Sequence, residues 1–206
     1  MSGVNNDSET GVAILALGHL GISLEINLLS TERSAEASAC RRYFNIARNI
    51  ILRDFPYSFS RKFATLSLVE SDPNSEWSYS YRYPSDCIYF KKILSGVRND
   101  VHSTRVPYII ASDSTGKLIY TDSSPAECEY TRLITDIKLY PDDVLVAFSL
   151  LLASLIAPRV TSGDGVKLGD RSYQLYMNMK TQSNNDSRNE EQEEEEPESE
   201  FIRARQ

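Results

Sequence analysis

Trp77-Ser78-Tyr79-Ser80-Tyr81-Arg82-Tyr83-Pro84 is the stretch whose reading decides the fold. Aromatic side chains at every second position alternate with serine and arginine, the period of a half-buried strand, and Pro84 closes it. The aromatic face reads as one wall of a β core, with a stacking platform for bases or sugars as the lesser reading. Working outward, period-two or β-rich runs predict further strands at residues 63–69, 87–94, 108–112, 118–121 and 128–134. Asp113-Ser114-Thr115-Gly116 is turn chemistry, with Gly116 free to take a positive φ, so the strands on either side of it should form a hairpin.

On both sides of this segment the period changes to that of a helix. Residues 11–21 form a short apolar helix. A second helix is bracketed by Ser34 at one end and by Asp54 and Pro56 at the other. Its expected buried stripe is Ala35, Ala39, Tyr43, Ile46, Ala47, Ile50 and Ile51, and its other face carries Arg41, Arg42, Arg48 and Arg53. Beyond the strands, Pro141-Asp142-Asp143 suits the positive end of a helix dipole. The following apolar run, 144–157, would span about 21 Å, shorter than a hydrocarbon core of about 30 Å, and so belongs in a protein core or against a neighbouring subunit, with no membrane expected. Pro158 is expected to stop that helix, and a last helix should run over 166–183. The fold class is therefore α+β. A discontinuous helical bundle, residues 1–60 and 135–183, carries a small antiparallel β domain, 61–134, inserted between its helices. A disordered acidic C-terminal arm, 184–206, ends the chain.

That arm holds the chain's charge. The 206 residues carry a net −7, and from Asn184 onward nine carboxylates and three arginines give −6, which leaves −1 for the body. Glu193 to Glu196 is an unbroken acidic run, too polar to offset its own chain entropy by burial. Phe201, Ile202, Arg203 and Arg205 break the pattern and form a candidate anchor at its end. With no basic footprint over the body, sequence-specific nucleic-acid binding is not expected. Residues 1–10 lack the basic and apolar regions of an export signal. Cys40, Cys87 and Cys128 are too few and too scattered for a disulfide framework or zinc ribbon, and a reducing cytoplasmic site of synthesis is expected.

Candidate chemistry is sparse. The two histidines, His19 and His102, stand in no ligand spacing. Cys40 follows Ala39 on a helical stripe, where a buried small residue is the commoner reading than a thiolate nucleophile. The Asp-Ser-Thr-Gly turn has one residue too many for an aspartic-protease motif and no second copy. Gly163, Gly165 and Gly169 near Lys167 lack the phosphate-loop order. Adjacent Asp142 and Asp143 point about 100° apart on a helix and read as helix-start acids. The expectation is a non-enzyme with no cofactor or metal.

Several stretches, in their order along the chain, resemble the head-to-tail connector proteins of tailed bacteriophages, the tail tubular protein A or adaptor family. They are Ala16-Leu17-Gly18-His19-Leu20-Gly21, Ala39-Cys40-Arg41-Arg42-Tyr43, Leu52-Arg53-Asp54-Phe55-Pro56-Tyr57-Ser58-Phe59, Tyr83-Pro84-Ser85-Asp86-Cys87 and Ile119-Tyr120-Thr121-Asp122. The closing Phe201-Ile202-Arg203-Ala204-Arg205 is similar to the family's hydrophobic-plus-arginine end. Tyr57 stands where the family commonly has tryptophan. The resemblance implies a virion protein at the head-tail junction, made in the host bacterial cytoplasm. It implies a ring, generally of twelve subunits, between the portal protein and a downstream tail or nozzle protein, with DNA passing through the channel without specific binding. It assigns Phe201, Ile202, Arg203 and Arg205 to the portal or a neighbouring subunit, and leaves Arg41, Arg42, Arg48 and Arg53 as candidates for the inter-subunit contact. Two other classes stand beside it: an acidic-tailed regulatory binding module, and a cytosolic enzyme with an unrecognised carboxylate or cysteine site.

Overall fold

In a computed structural model the chain is described over residues 8–23, 26–54, 58–97, 105–161 and 163–190, the last eight as backbone. Four helices and two antiparallel sheets give an α+β chain. It divides into a helical unit, Met1–Arg61 with Thr131–Ser187, and a β unit containing Lys62–Tyr130.

In the helical unit, α1 (Glu9–His19) starts two residues before the expected position because the Ser8 hydroxyl accepts the Gly11 N–H and caps it. It ends where Gly21 turns left-handed at φ 75° and the Ile22 N–H returns to the Leu17 carbonyl. Helix α2 (Ala35–Asp54) is capped by Ser34, whose hydroxyl accepts the Ala37 N–H. Its buried stripe is turned from the expected one. Ala37, Ala39, Cys40, Phe44, Ala47, Arg48, Ile51 and Leu52 are inside, Ala35 is exposed, and Ile46 is 49% exposed. Tertiary packing sets this rotation, since Phe44 lies against Phe148 of the third helix with ring centroids 5.0 Å apart.

That third helix, α3 (Asp142–Val160), is apolar on every side and packs against α1 and α2. Val144, Leu145, Phe148, Leu150, Leu151, Leu152 and Ile156 are all buried. At 19 residues it is longer than the expected apolar run, and by length and composition alone it is sufficient to cross a membrane; most of it is buried inside the chain. Pro158 does not stop it. A proline there forfeits one N–H bond, to the Ser154 carbonyl, and the helix continues to Val160, where both the N–H and the hydroxyl of Thr161 reach the Ala157 carbonyl at 3.1 and 2.6 Å.

Helix α4 (Gly165–Glu190) continues past the expected end at Ser183 and through the first residues assigned to the arm. No glycine or proline occurs between Asp170 and Glu190, and asparagine and aspartate weaken a helix without breaking it. The remainder of the arm lies outside the described residues. Helix α4 meets α3 through glycines: a Cβ on Gly169 would stand 3.1 Å from the Ser154 carbonyl, and one on Gly165 would stand 2.9 Å from the Ala157 carbonyl. Farther along, Asp54 at the end of α2 accepts hydrogen bonds from the Tyr176 hydroxyl and Lys180 Nζ, each at 2.8 Å.

The β unit has a three-stranded sheet in the order β1 (Arg61–Thr65), β7 (Glu127–Arg132), β4 (Cys87–Ile93). A four-stranded sheet runs β2 (Leu68–Ser71), β3 (Tyr79–Arg82), β6 (Gly116–Thr121), β5 (Ile109–Asp113). The strand expected at 63–69 is thus two strands in different sheets. Both sheets contribute to one core of Leu66, Tyr81, Phe90, Ile93, Ile119, Ala126, Cys128 and Tyr130, with Tyr79 and Tyr83 packed against it. The aromatic alternation is therefore a core wall, although Trp77 precedes the strand and Ser80 is buried with Tyr81. The β5–β6 hairpin closes at Asp113 and Gly116, as the turn residues predict, with Gly116 at φ 147°.

A Gly165→Ala variant tests the close approach of α3 and α4. At the first position of a helix alanine gains less over glycine than the about 1 kcal/mol of a helix interior, whereas crowding against Thr161 Oγ1 and the Ala157 carbonyl should cost about 1–3 kcal/mol. Urea denaturation should show a less stable variant; a more stable one would mean that the helices do not meet there.

Candidate functional site

The four arginines of α2 do not share a face. Arg41 Nη1 donates to the Leu29 carbonyl at 2.7 Å and also to the Glu32 carbonyl, fastening the loop before α2 onto the helix. Arg48 is buried. It pairs with Glu9 of α1 at 3.3 Å, donates to Asn45 Oδ1, and lies 5.8 Å from the centroid of the Phe44 ring, while its Nε is buried without a hydrogen-bond partner. The Arg48–Glu9 pair joins α1 to α2, and the inward contacts of Arg48 and the loop contacts of Arg41 correct the placement of both on an outer face. Arg42 and Arg53 are exposed. The reason is the rotated stripe: packing Phe44 under α3 carries Arg48, four residues on, inward beside it.

The candidate anchor residues Phe201, Ile202, Arg203 and Arg205 lie outside the described residues, as does His102. His19 Nε2 lies 3.0 Å from the Ser149 hydroxyl of α3, and desolvation lowers its pKa, so the neutral ring is favoured. Cys40 and Cys128 are buried free thiols whose pKa values burial pushes up to about 11, and burial also raises that of Cys87, which is half-buried. The folded environment disfavours the thiolate at all three. Among the described residues, no group of three or more His, Cys, Asp or Glu side chains is placed to hold a metal ion. A groove of about 220 Å³ between α3 and α4 is lined by Ser154, Pro158, Val166, Gly169, Asp170 and Tyr173.

Three polar clusters join separate parts of the β unit, and only the Asp113 turn among them has a signature in the sequence. Asp86, in the turn before β4, receives Lys62 Nζ of β1 and the Tyr130 hydroxyl of β7, both at 2.8 Å. Burial works to raise the Asp86 pKa and those two donors together outweigh it, leaving it lowered, while the same contacts raise that of Lys62. Glu129 of β7 is buried and meets Lys91 at 3.1 Å and Lys92 at 3.8 Å. Asp113, at the hairpin turn, takes both guanidinium nitrogens of Arg82 at 3.1 Å, the Thr115 hydroxyl and N–H at 2.8 Å, and the Gly116 N–H at 2.7 Å. The partners that come from separate elements lie 24 to 44 positions apart along the chain, Lys62–Asp86 being the closest and Asp86–Tyr130 the farthest. No local spacing marks them. Each cluster ties strands or turns together with charge-assisted bonds, and their arrangement is that of structural pairs rather than of groups converging on a reaction centre.

The exposed apolar surface is more informative. Helix α4 buries the narrow stripe Gly165, Gly169, Ser172 and Tyr176, and exposes Val166, Tyr173 and Met177 on one flank with Leu175 on the other. In the β unit, Leu68 and Val69 of β2 and Ile109 and Ile110 of β5 are exposed on the two edge strands. The sequence matches no protein-family model and no curated protein.

The Asp113 contacts give a pH dependence with a definite sign. Arg82 first, then the Thr115 and Gly116 donors, hold this carboxyl far below the usual carboxylate range. Its stabilising contribution is therefore present above an unfolded-state pKa of about 3.9 and is lost as the pH falls below it. The melting temperature of the wild type should exceed that of Asp113→Asn at neutral pH. That lead should shrink as the pH is taken from about 5 to about 2; a constant lead would show that the ionised carboxylate is not its source.

Proposed function

We propose that this chain is a structural subunit of a tailed-phage virion, a connector that assembles into a ring between the portal protein and the lower tail. The observation that carries the reading is the half-covered state of α4. A helix that approaches α3 through Gly165 and Gly169, and α2 through Tyr176, leaves Val166, Tyr173, Leu175 and Met177 in water on both flanks. Apolar flanks on either side of one helix suit a subunit whose neighbours cover them, as consecutive members of a ring do. The ordered motif resemblance supports the same reading. So does the charge distribution, because a body of net −1 offers little to grip phosphates and suits a channel through which duplex DNA slides. Arg42 and Arg53, the exposed members of the arginine set, are the ones available to a neighbouring subunit's carboxylates. The terminal Phe201, Ile202, Arg203 and Arg205 are assigned to the portal or a neighbour by resemblance.

Electron microscopy of the purified protein mixed with portal particles tests the proposal, with closed rings seated on the portal as the expected result. Arg42→Glu combined with Arg53→Glu should block ring closure while changing subunit stability by no more than about 0.5 kcal/mol per substitution. Absence of any portal-bound assembly with the wild type would refute the connector reading, and normal rings from the double reversal would return both arginines to solvent.

A further inference from the structure

The four-stranded sheet has two unlike edges, and each exposes two large apolar side chains. Among the described residues β5 pairs only with β6, and β2 only with β3. On β5, Ile109 and Ile110 are 49% and 44% exposed, although neighbouring strand residues point to opposite faces. Ile109 to Ser112 includes no lysine, proline or charge of the kind that usually protects an edge. On β2 all four residues are exposed, with Leu68 and Val69 at 52% and 45%. This edge carries only Glu70 and a register shift between Leu68 and Glu70.

The ladder register fixes which backbone groups are free. The hairpin closes on the Asp113–Gly116 pair, and antiparallel pairs alternate between hydrogen-bonded and non-hydrogen-bonded, so Ser112 and Ile110 direct their N–H and C=O groups away from β6. The Lys117 carbonyl agrees with this phase: opposite Ser112, it turns to the other side and accepts the Tyr83 N–H at 3.1 Å. Ile110 and Ser112 thus offer a strand-pairing edge between exposed isoleucines.

We propose that β5 of one copy adds to β2 of the next, joining the four-stranded sheets head to tail. Strand direction favours this pairing. Each neighbouring pair in β2-β3-β6-β5 is antiparallel, so β2 and β5 run in opposite directions. A second copy placed beside the first by rotation about an axis along the strands brings its β2 antiparallel to β5, and the alternation continues without a break. Joining unlike edges is a heterologous contact, the kind that closes rings, whereas β5 on β5 would end at a dimer and leave β2 uncovered. The inference deepens the ring reading and rests on it, with a second copy of this chain as the occupant of the edge.

Full-length Ile110→Cys and Val69→Cys variants, mixed and treated with a short bis-maleimide, report the contact directly. The wild type supplies the background from Cys40, Cys87 and Cys128. Cross-linked dimer from the mixture should exceed that from either variant alone by roughly tenfold. Independently, Ile110→Pro, which removes an N–H unused within the subunit, and Ile110→Lys, which keeps it and adds a charge, should raise the concentration needed for assembly by roughly tenfold. Circular dichroism melting checks that each variant is folded. Cross-linking as strong with Ile110→Cys alone as with the mixture would overturn the unlike-edge pairing in favour of β5 on β5. Rings that form on portal particles without the mixed cross-link, or that tolerate folded Ile110→Lys, would overturn edge pairing and leave the connector reading standing. A wild-type chain that neither cross-links nor forms rings on portal would overturn both.

Discussion

The burial of α3 is the constraint on which the helical unit depends. A 19-residue helix that is apolar all round has no face to offer water, so it must be enclosed. The chain does this with α1 and α2, whose buried residues are largely small, Ala13, Ala16, Ala37, Ala39, Cys40 and Ala47, so that the backbones come close to the large side chains of α3. Each fully buried leucine, isoleucine or phenylalanine is worth about 1.5–3 kcal/mol, so the fit around α3 dominates the choice of helix rotation. Arg48 illustrates the consequence: it is drawn inward with Phe44 and stabilised there by Glu9, Asn45 and an aromatic face rather than by solvent.

The β unit solves a different problem. Its residues must enclose a core between two small sheets, and aromatic side chains fill it: Tyr81, Phe90 and Tyr130 at the centre, with Tyr79, Tyr83 and Tyr108 around them. A buried tyrosine hydroxyl needs a partner, and three of these find one that also joins separate segments. Tyr81 donates to the Ser123 carbonyl at 2.9 Å, Tyr108 to the Lys91 carbonyl at 3.2 Å, and Tyr130 to Asp86. The charged residues do the same at the surface and beneath it, with Arg82 holding the hairpin turn and Lys91 and Lys92 bracketing Glu129. Most of the unit's ionisable chemistry is thus spent on holding strands in register.

Two groups of exposed apolar side chains stand out among the described residues: the flanks of α4 and the two edges of the four-stranded sheet. Both are surfaces that a second copy of the chain can cover. Apolar strips of this kind are what the connector proposal assigns to neighbouring copies. The connector proposal and the edge-pairing proposal draw on separate parts of the chain.

The sequence by itself determined the α+β class, the switch from helical to alternating period and back, the hairpin at Asp113–Gly116, and the burial of Cys40, because each is written in residues a few positions apart. It left the apolar run of α3 to a protein core or a neighbouring subunit, and the fold buries most of it within the chain. It misjudged the buried stripe of α2, where Ala35 and Ile46 lie outside and Arg48 inside, since several rotations satisfy a three-and-four spacing and packing against α3, with Phe44 on Phe148, selects among them. It stopped α3 at Pro158 and α4 at Ser183 by local rules. The cost of one lost N–H bond and a few weak helix formers is small enough for a continuing helix to carry. The Asp86, Glu129 and Asp54 clusters, and the exposed edges of β2 and β5, were decided by tertiary structure alone. Their partners are tens of positions apart or more, and which strand becomes an edge depends on sheet order, a property of the assembled chain that no local pattern of side chains encodes.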